Sequence, residues 1–206
     1  MEDYVTLAAQ GQDEYTVSRS RFIGYARPVE TPAAAAAFVE EIRAMHREAR
    51  HNVYAYTLRA PAYTRFSDDG EPQGTAGKPV LEVLRQSGVT NCCVVVTRYF
   101  GGVLLGAGGL VRAYAHTAKL ALAAAGTVVM KPCRTLVIRA DYALYGSLSA
   151  LIPRFGGVTL GSEFGERVEL AFRLPLESVP GFEKALSELT NGGVSAAVLA
   201  EGYAAF

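Results

Sequence analysis

One passage constrains the fold more than any other. The apolar run Cys92-Cys93-Val94-Val95-Val96-Thr97 leads through Arg98-Tyr99-Phe100 into a glycine-dense segment, residues 101–109. An Ala- and Leu-rich stretch, residues 110–125, follows and is closed by Gly126. The first run is apolar without alternation, which fits a strand covered on both faces. The last is built from strong helix formers. Glycines packed between such a strand and helix let the backbone approach a ligand, or another piece of backbone, very closely.

The flanking sequence supplies the rest of an α+β plan. Residues 15–18 and 21–29 read as strands. Thr31-Pro32 reads as a helix start, with Thr as N-cap and Pro in the first turn. Phe38, Ile42, Met45 and Ala49 follow at helical spacing. Residues 52–59 read as a strand inside a sheet. Residues 60–77 read as a long polar loop, and loops of that length are usually functional or disordered. Residues 78–87 predict a helix ended by Gly88.

From Val128 the pattern changes. Strand 128–141, helix 142–155, strands 158–164 and 168–175, helix 179–190 and strand 194–199 give the order β-α-β-β-α-β, the ferredoxin-like arrangement. A boundary near residues 126–132 is expected, with domains over 1–127 and 128–206.

Composition removes several classes. The chain has 206 residues with 20 basic and 20 acidic, a formal net charge of zero. That argues against a chain coated in positive charge or an acidic disordered tail. Three Cys, two of them adjacent and none in a C-x-x-C pair, give no disulfide framework or structural zinc site. The opening Met1-Glu2-Asp3-Tyr4 lacks a signal-peptide pattern, and no apolar run approaches a membrane span. A soluble cytoplasmic protein is expected.

Two segments can carry chemistry. In Asp68-Asp69-Gly70-Glu71, oxygen ligands can hold Mg²⁺. Gly74-Thr75-Ala76-Gly77-Lys78 can offer backbone N–H groups and an ammonium to a phosphate. It is not a P-loop, because Pro72 and Pro79 stand where Gly and Ser or Thr belong. The bland alternative is a polar loop whose acids cap turns and pair with Arg. The second segment is the glycine-rich one. Arg98, Tyr99, Gly101, Gly102, Gly106, Gly108, Gly109 and Arg112 combine Arg, aromatic and Gly, a composition that binds phosphates and stacks bases. It does not fit the dinucleotide fingerprint. His51 opens a strand and can serve as acid, base or donor. No nucleophile set is recognisable, and no resident cofactor is expected.

These motifs are together specific. His51-Asn52-x-x-Ala55-Tyr56, then Asp68-Asp69-Gly70-Glu71-Pro72 with Gly74-Thr75-Ala76-Gly77-Lys78-Pro79, then Arg98-Tyr99-Phe100-Gly101-Gly102 through Arg112-Ala113-Tyr114 resemble the YigZ/IMPACT family. The resemblance implies an N-terminal domain of the ribosomal protein S5 domain-2-like fold. It implies a C-terminal domain similar to one of elongation factor G. Eukaryotic relatives restrain the amino-acid-starvation response by competing for a scaffold protein. The expected role is therefore a translation-linked binding protein. It would contact RNA, the ribosome or a translation factor through the Arg/aromatic/Gly loop, with His51, Asp68, Asp69, Glu71, Thr75 and Lys78 beside it. Two alternatives stand: a Mg²⁺-dependent enzyme or binder of a small phosphorylated ligand, and a protein-interaction module. Local charge favours the first reading. Residues 43–112 hold nine Lys or Arg against five Asp or Glu.

Overall fold

A computed structural model describes all residues, Met1–Phe206. The chain divides into two compact units, Tyr4–Val128 and Met1–Asp3 with Val129–Phe206.

The first unit is built on a five-stranded antiparallel sheet. Its strands are β2 (Gly11–Val17), β3 (Ser20–Pro28), β4 (His51–Arg59), β5 (Ala62–Ser67) and β6 (Cys92–Tyr99). Their order is β2-β3-β6-β4-β5. Successive side chains on a strand point to opposite faces, and the core divides accordingly. Phe22, Val53, Val94 and Val96 pack on helices α2 (Gly77–Ser87) and α3 (Gly106–Ala125). Ile23, Tyr25, Tyr56, Cys93 and Val95 pack on α1 (Pro32–Met45). The unbroken apolar run of β6 is thus covered from both sides, as expected. Burial pushes the Cys92 thiol up to about 12 and the Cys93 thiol higher still, so both are inert at neutral pH. Thr31 caps α1, its hydroxyl accepting from the Ala34 N–H at 3.1 Å. Gly88 ends α2 in the left-handed region, φ 68°.

Two expectations need correction, and one strand is added. The stretch 60–77 is not loop throughout, because β5 runs through it and pairs with β4. Residues 62–66 are exposed, so β5 leaves no alternating apolar signal. Helix α3 starts at Gly106, not Leu110, so half of the glycine-rich segment is its first turn. Packing of Leu110, Ala113 and Tyr114 on the core overrides the poor propensity of the glycines. A short strand, β1 (Tyr4–Leu7), also precedes the expected elements and bridges Val5 to Val89 in parallel.

The second unit contains β7 (Thr127–Ala140), α4 (Tyr145–Arg154), β8 (Val158–Phe164), β9 (Val168–Pro175), α5 (Val179–Thr190) and β10 (Ala196–Ala204). The antiparallel order β10-β7-β9-β8 is that of a ferredoxin-like fold. One face, with Leu136, Ile138, Leu170 and Phe172, packs on Leu148, Ile152, Phe182 and Leu186 of the two helices. The last strand is longer than the expected 194–199 because its exposed residues carry no periodic pattern.

Candidate functional site

The loop between β5 and α2 holds its carboxylates inward. Asp68 accepts from the N–H groups of Gly74 at 2.8 Å, Ala76 at 3.1 Å and Gly77 at 2.8 Å. The Ala76 and Gly77 amides are open donors at the start of α2 and the Gly74 amide lies just before it, so the carboxylate sits where a bound phosphate would. Asp69, at φ 43°, accepts from Arg43 Nη2 and from the Asn52 N–H, both at 2.7 Å. Its carbonyl lies 2.8 Å from His51 Nδ1, which donates to it. Glu71 is only 8% exposed and accepts from Arg98 Nη1 and the Tyr114 hydroxyl, each at 2.7 Å. The Thr75 hydroxyl donates to the Pro72 carbonyl at 2.6 Å.

The three carboxylates therefore do not converge on one point. Asp68, Asp69 and Glu71 serve three separate sets of protein donors, and no group of three His, Cys, Asp or Glu is gathered to hold a metal ion. In the phosphate cradle expected at residues 74–78, Asp68 is already bound. Lys78 is exposed and stands outside these bonds.

Arg98 is likewise internal. It is 7% exposed, and its guanidinium lies 5.4 Å from the Phe22 ring centre and 5.5 Å from that of Phe100. Its one ion pair is with buried Glu71, and its Nε has no partner. Tyr99 points to the opposite face of the sheet. There its hydroxyl bonds His46 Nδ1 at 2.8 Å, while His46 Nε2 bonds the Tyr25 hydroxyl at 2.6 Å. Burial, and then the nearby Arg21 cation, hold the His46 pKa below its ordinary value. Desolvation by burial, and then the neighbouring Glu71 carboxylate, push the Tyr114 phenol far up.

The glycines divide into two kinds. Gly101 is required by a backbone contact, since a Cβ there would sit 2.0 Å from the Arg19 carbonyl carbon. Gly102 and Gly106 adopt φ 81° and 67° with open space around them. Gly109 faces the Leu105 side chain, and Gly108 lies beneath Arg112. None of these contacts is to a bound group.

What remains exposed is the outer side of α3. Arg112, His116 and Lys119 recur at spacings of four and three, on one helix face, and all are exposed. They line a cleft of about 510 Å³ with Tyr15, Val17, Leu105 and Gly109. No carboxylate lines it, and neither Arg112 nor Lys119 is in an ion pair. Tyr15 and His116 meet edge to face, ring centres 4.6 Å apart. The segment entering α3 exposes Phe100 (53%) and Leu104 (87%). Arg19 stands exposed in the β2–β3 turn beside Gly101, held at φ 65°. Of the expected site residues, only Arg112 reaches this cleft as a free cation. His116 and Lys119 were not expected, although their spacing from Arg112 on one helix face was readable.

The fold and site define a two-domain α+β protein with an internally neutralised acidic loop and an exposed basic helix face. The Impact N-terminal domain matches residues 18–122, and a domain of unknown function, DUF1949, matches residues 138–192. The chain is 36% identical to the IMPACT family member YvyE of Bacillus subtilis over 193 residues, covering 93% of this chain and 89% of that protein. It is 36% identical to the IMPACT family member YigZ of Escherichia coli over 204 residues, covering 98% and 100%. The chain belongs to the IMPACT family. Human Protein IMPACT shares 33% identity over 95 residues, 44% of this chain and 30% of its own length. A crystal structure of a hypothetical protein, 36% identical, superposes with a TM-score of 0.64 over 97% of this chain and 98% of its own.

Proposed function

We propose that this chain is a non-enzymatic, translation-linked binding protein that contacts RNA of the ribosome along α3. The cleft observation carries the reading: Arg112, His116 and Lys119 on one face, no acid among them, and aromatic Tyr15 alongside. Cations free of internal partners are what phosphate contacts need, and an aromatic beside them suits an unstacked base. Arg19 and exposed Phe100 extend the same chemistry beyond the cleft. Family membership supports the translational theme, and the domain types implied by the resemblance support it further. The Mg²⁺ alternative is less well supported, since Asp68, Asp69 and Glu71 each already accept bonds from protein donors. The test is ribosome co-sedimentation at low and high salt. Wild type should pellet with ribosomes at low salt and be released at high salt. An Arg112→Glu/Lys119→Glu variant should stay in the supernatant while folding normally. Equal pelleting of the variant, or none of wild type at low salt, rejects the reading.

A further inference from the structure

The two edges of the N-terminal sheet are built differently. Edge strand β2 carries Asp13 and Glu14 in its middle, and Glu14 is paired with Arg21 at 2.6 Å. Such charges block edge-to-edge pairing. Edge strand β5, Ala62-Tyr63-Thr64-Arg65-Phe66-Ser67, bonds only to β4, in an unbroken register. Residues 62–66 are exposed, Tyr63 by 44% and Phe66 by 42%. Its one charge, Arg65, makes no ion pair and lies among tyrosines 54, 56 and 63. There is no bulge, no acid and no proline within the strand.

We propose that β5 is a self-association edge, where a second copy of this chain adds its own β5 antiparallel and joins two five-stranded sheets into one. Residues opposite one another in an antiparallel pair share a face. Arg65 opposes Tyr56 and Tyr63 opposes Leu58, on the α1 face. Phe66 opposes Ala55, on the α2 and α3 face, and Thr64 alternates with Arg65 to lie there too. A twofold pairing must match faces, so its axis passes through a residue. Two such registers use five of the six strand residues, one centred on Thr64 and one on Arg65. Centring on Arg65 sets two guanidinium groups against each other, which is unfavourable. Centring on Thr64 sets Tyr63 opposite the copy's Arg65, twice, a cation–π arrangement. It also sets small Ala62 opposite large Phe66, twice, and Thr64 opposite Thr64. A net charge of zero adds no long-range repulsion between copies. The strand is therefore self-complementary in one register. An edge contact alone is small, in the class below about 1,200 Å² that supports transient association.

Sedimentation equilibrium of the full chain tests this, over concentrations rising to roughly millimolar, the affinity range of weak contacts. Wild type should climb from one chain mass toward two. Thr64→Lys and Thr64→Glu, each alone, should weaken association at least tenfold by opposing like charges on the axis. An equimolar mixture of the two should associate again at least as well as wild type. Thermal melts should match wild type, because Thr64 is exposed. A wild type that stays one chain throughout overturns the proposal. So does undiminished association of either variant, or a mixture that fails to associate. None of these outcomes bears on ribosome binding, so this proposal and the α3 reading fail separately.

Discussion

In loop 68–77 every acidic side chain has protein donors at 2.7 to 3.1 Å, whereas on α3 the cations Arg112 and Lys119 have no acidic partner. The loop is denser in motif and looks more like an active site in one dimension. Yet its charges are consumed in holding β4, β6, α2 and α3 at fixed distances. The helix face is sparse in motif, but its charge is available. Availability of a charged group depends on where its partners are, and those partners are distant in sequence: Arg43 for Asp69, Arg98 and Tyr114 for Glu71. The comparison can be broken by asking whether each group behaves as structural or as free.

The largest effect should come from the buried pair. Arg98→Ala leaves Glu71 buried with only the Tyr114 hydroxyl as a partner. Removing one member of such a pair costs about 3–5 kcal/mol. Urea denaturation should show that loss as a lower midpoint. The double variant Glu71→Gln/Arg98→Met should recover part of it, because neither charge is then left alone. Arg98→Ala with wild-type stability would mean that Arg98 is a free ligand group after all.

Asp68→Ala should rank second. It removes the acceptor of three backbone N–H groups at the start of α2, where no other side-chain cap is present. The loss of a cap is about 0.5–2 kcal/mol. A charged acceptor of three donors belongs at the upper end of that range. The same variant sharpens the comparison in a second way. If the emptied site takes up inorganic phosphate, thermal shift with phosphate should rescue Asp68→Ala and leave wild type unmoved.

His46 supplies a smaller effect with a definite sign. Its pKa is lowered in the folded chain, so between that value and about 6.5 the unfolded chain binds more protons. Its contribution is therefore fully present above about pH 6.5 and is lost as pH falls toward the folded value. Protonation also forces both ring nitrogens to donate, where one now accepts from a tyrosine. The melting temperature of wild type should drop more between pH 7 and 5 than that of His46→Gln. Equal slopes would show that the Tyr25–His46–Tyr99 bonds do not couple to folding.

Much of the fold was legible because its signals are local. Thr31-Pro32 and Gly88 marked helix ends by their own chemistry, and the run at 92–97 marked a doubly covered strand. The β-α-β-β-α-β order followed from periodicity alone. Strand β5 was not legible, since an edge strand exposed on both faces has no apolar alternation to read. The start of α3 was hidden by Gly106, Gly108 and Gly109, whose helical state depends on packing three and four residues later. The site was legible as a set of residue types but not as a set of roles. Nothing in Asp68-Asp69-Gly70-Glu71 says that one carboxylate faces amides, one faces Arg43 and one faces Arg98. The first partners lie 6 to 9 residues away and the other two 26 and 27 residues away, and nothing in the sequence ranks them.

The smallest expected effect on stability is the most decisive for function. Arg112→Glu/Lys119→Glu changes two exposed groups that hold nothing in place, so its stability should stay within about 0.5 kcal/mol of wild type. Binding is a different matter. Each phosphate that the protein no longer neutralises lowers the slope of log K against log salt by about 0.7 for single-stranded nucleic acid. Titrating a single-stranded RNA probe at several salt concentrations should show the double variant with a slope shallower by roughly 1.4. A variant with full stability and reduced slope places the cations on the phosphate path. A variant that keeps its slope would put the RNA elsewhere on the surface, and the contrast between the two regions would then be one of packing alone.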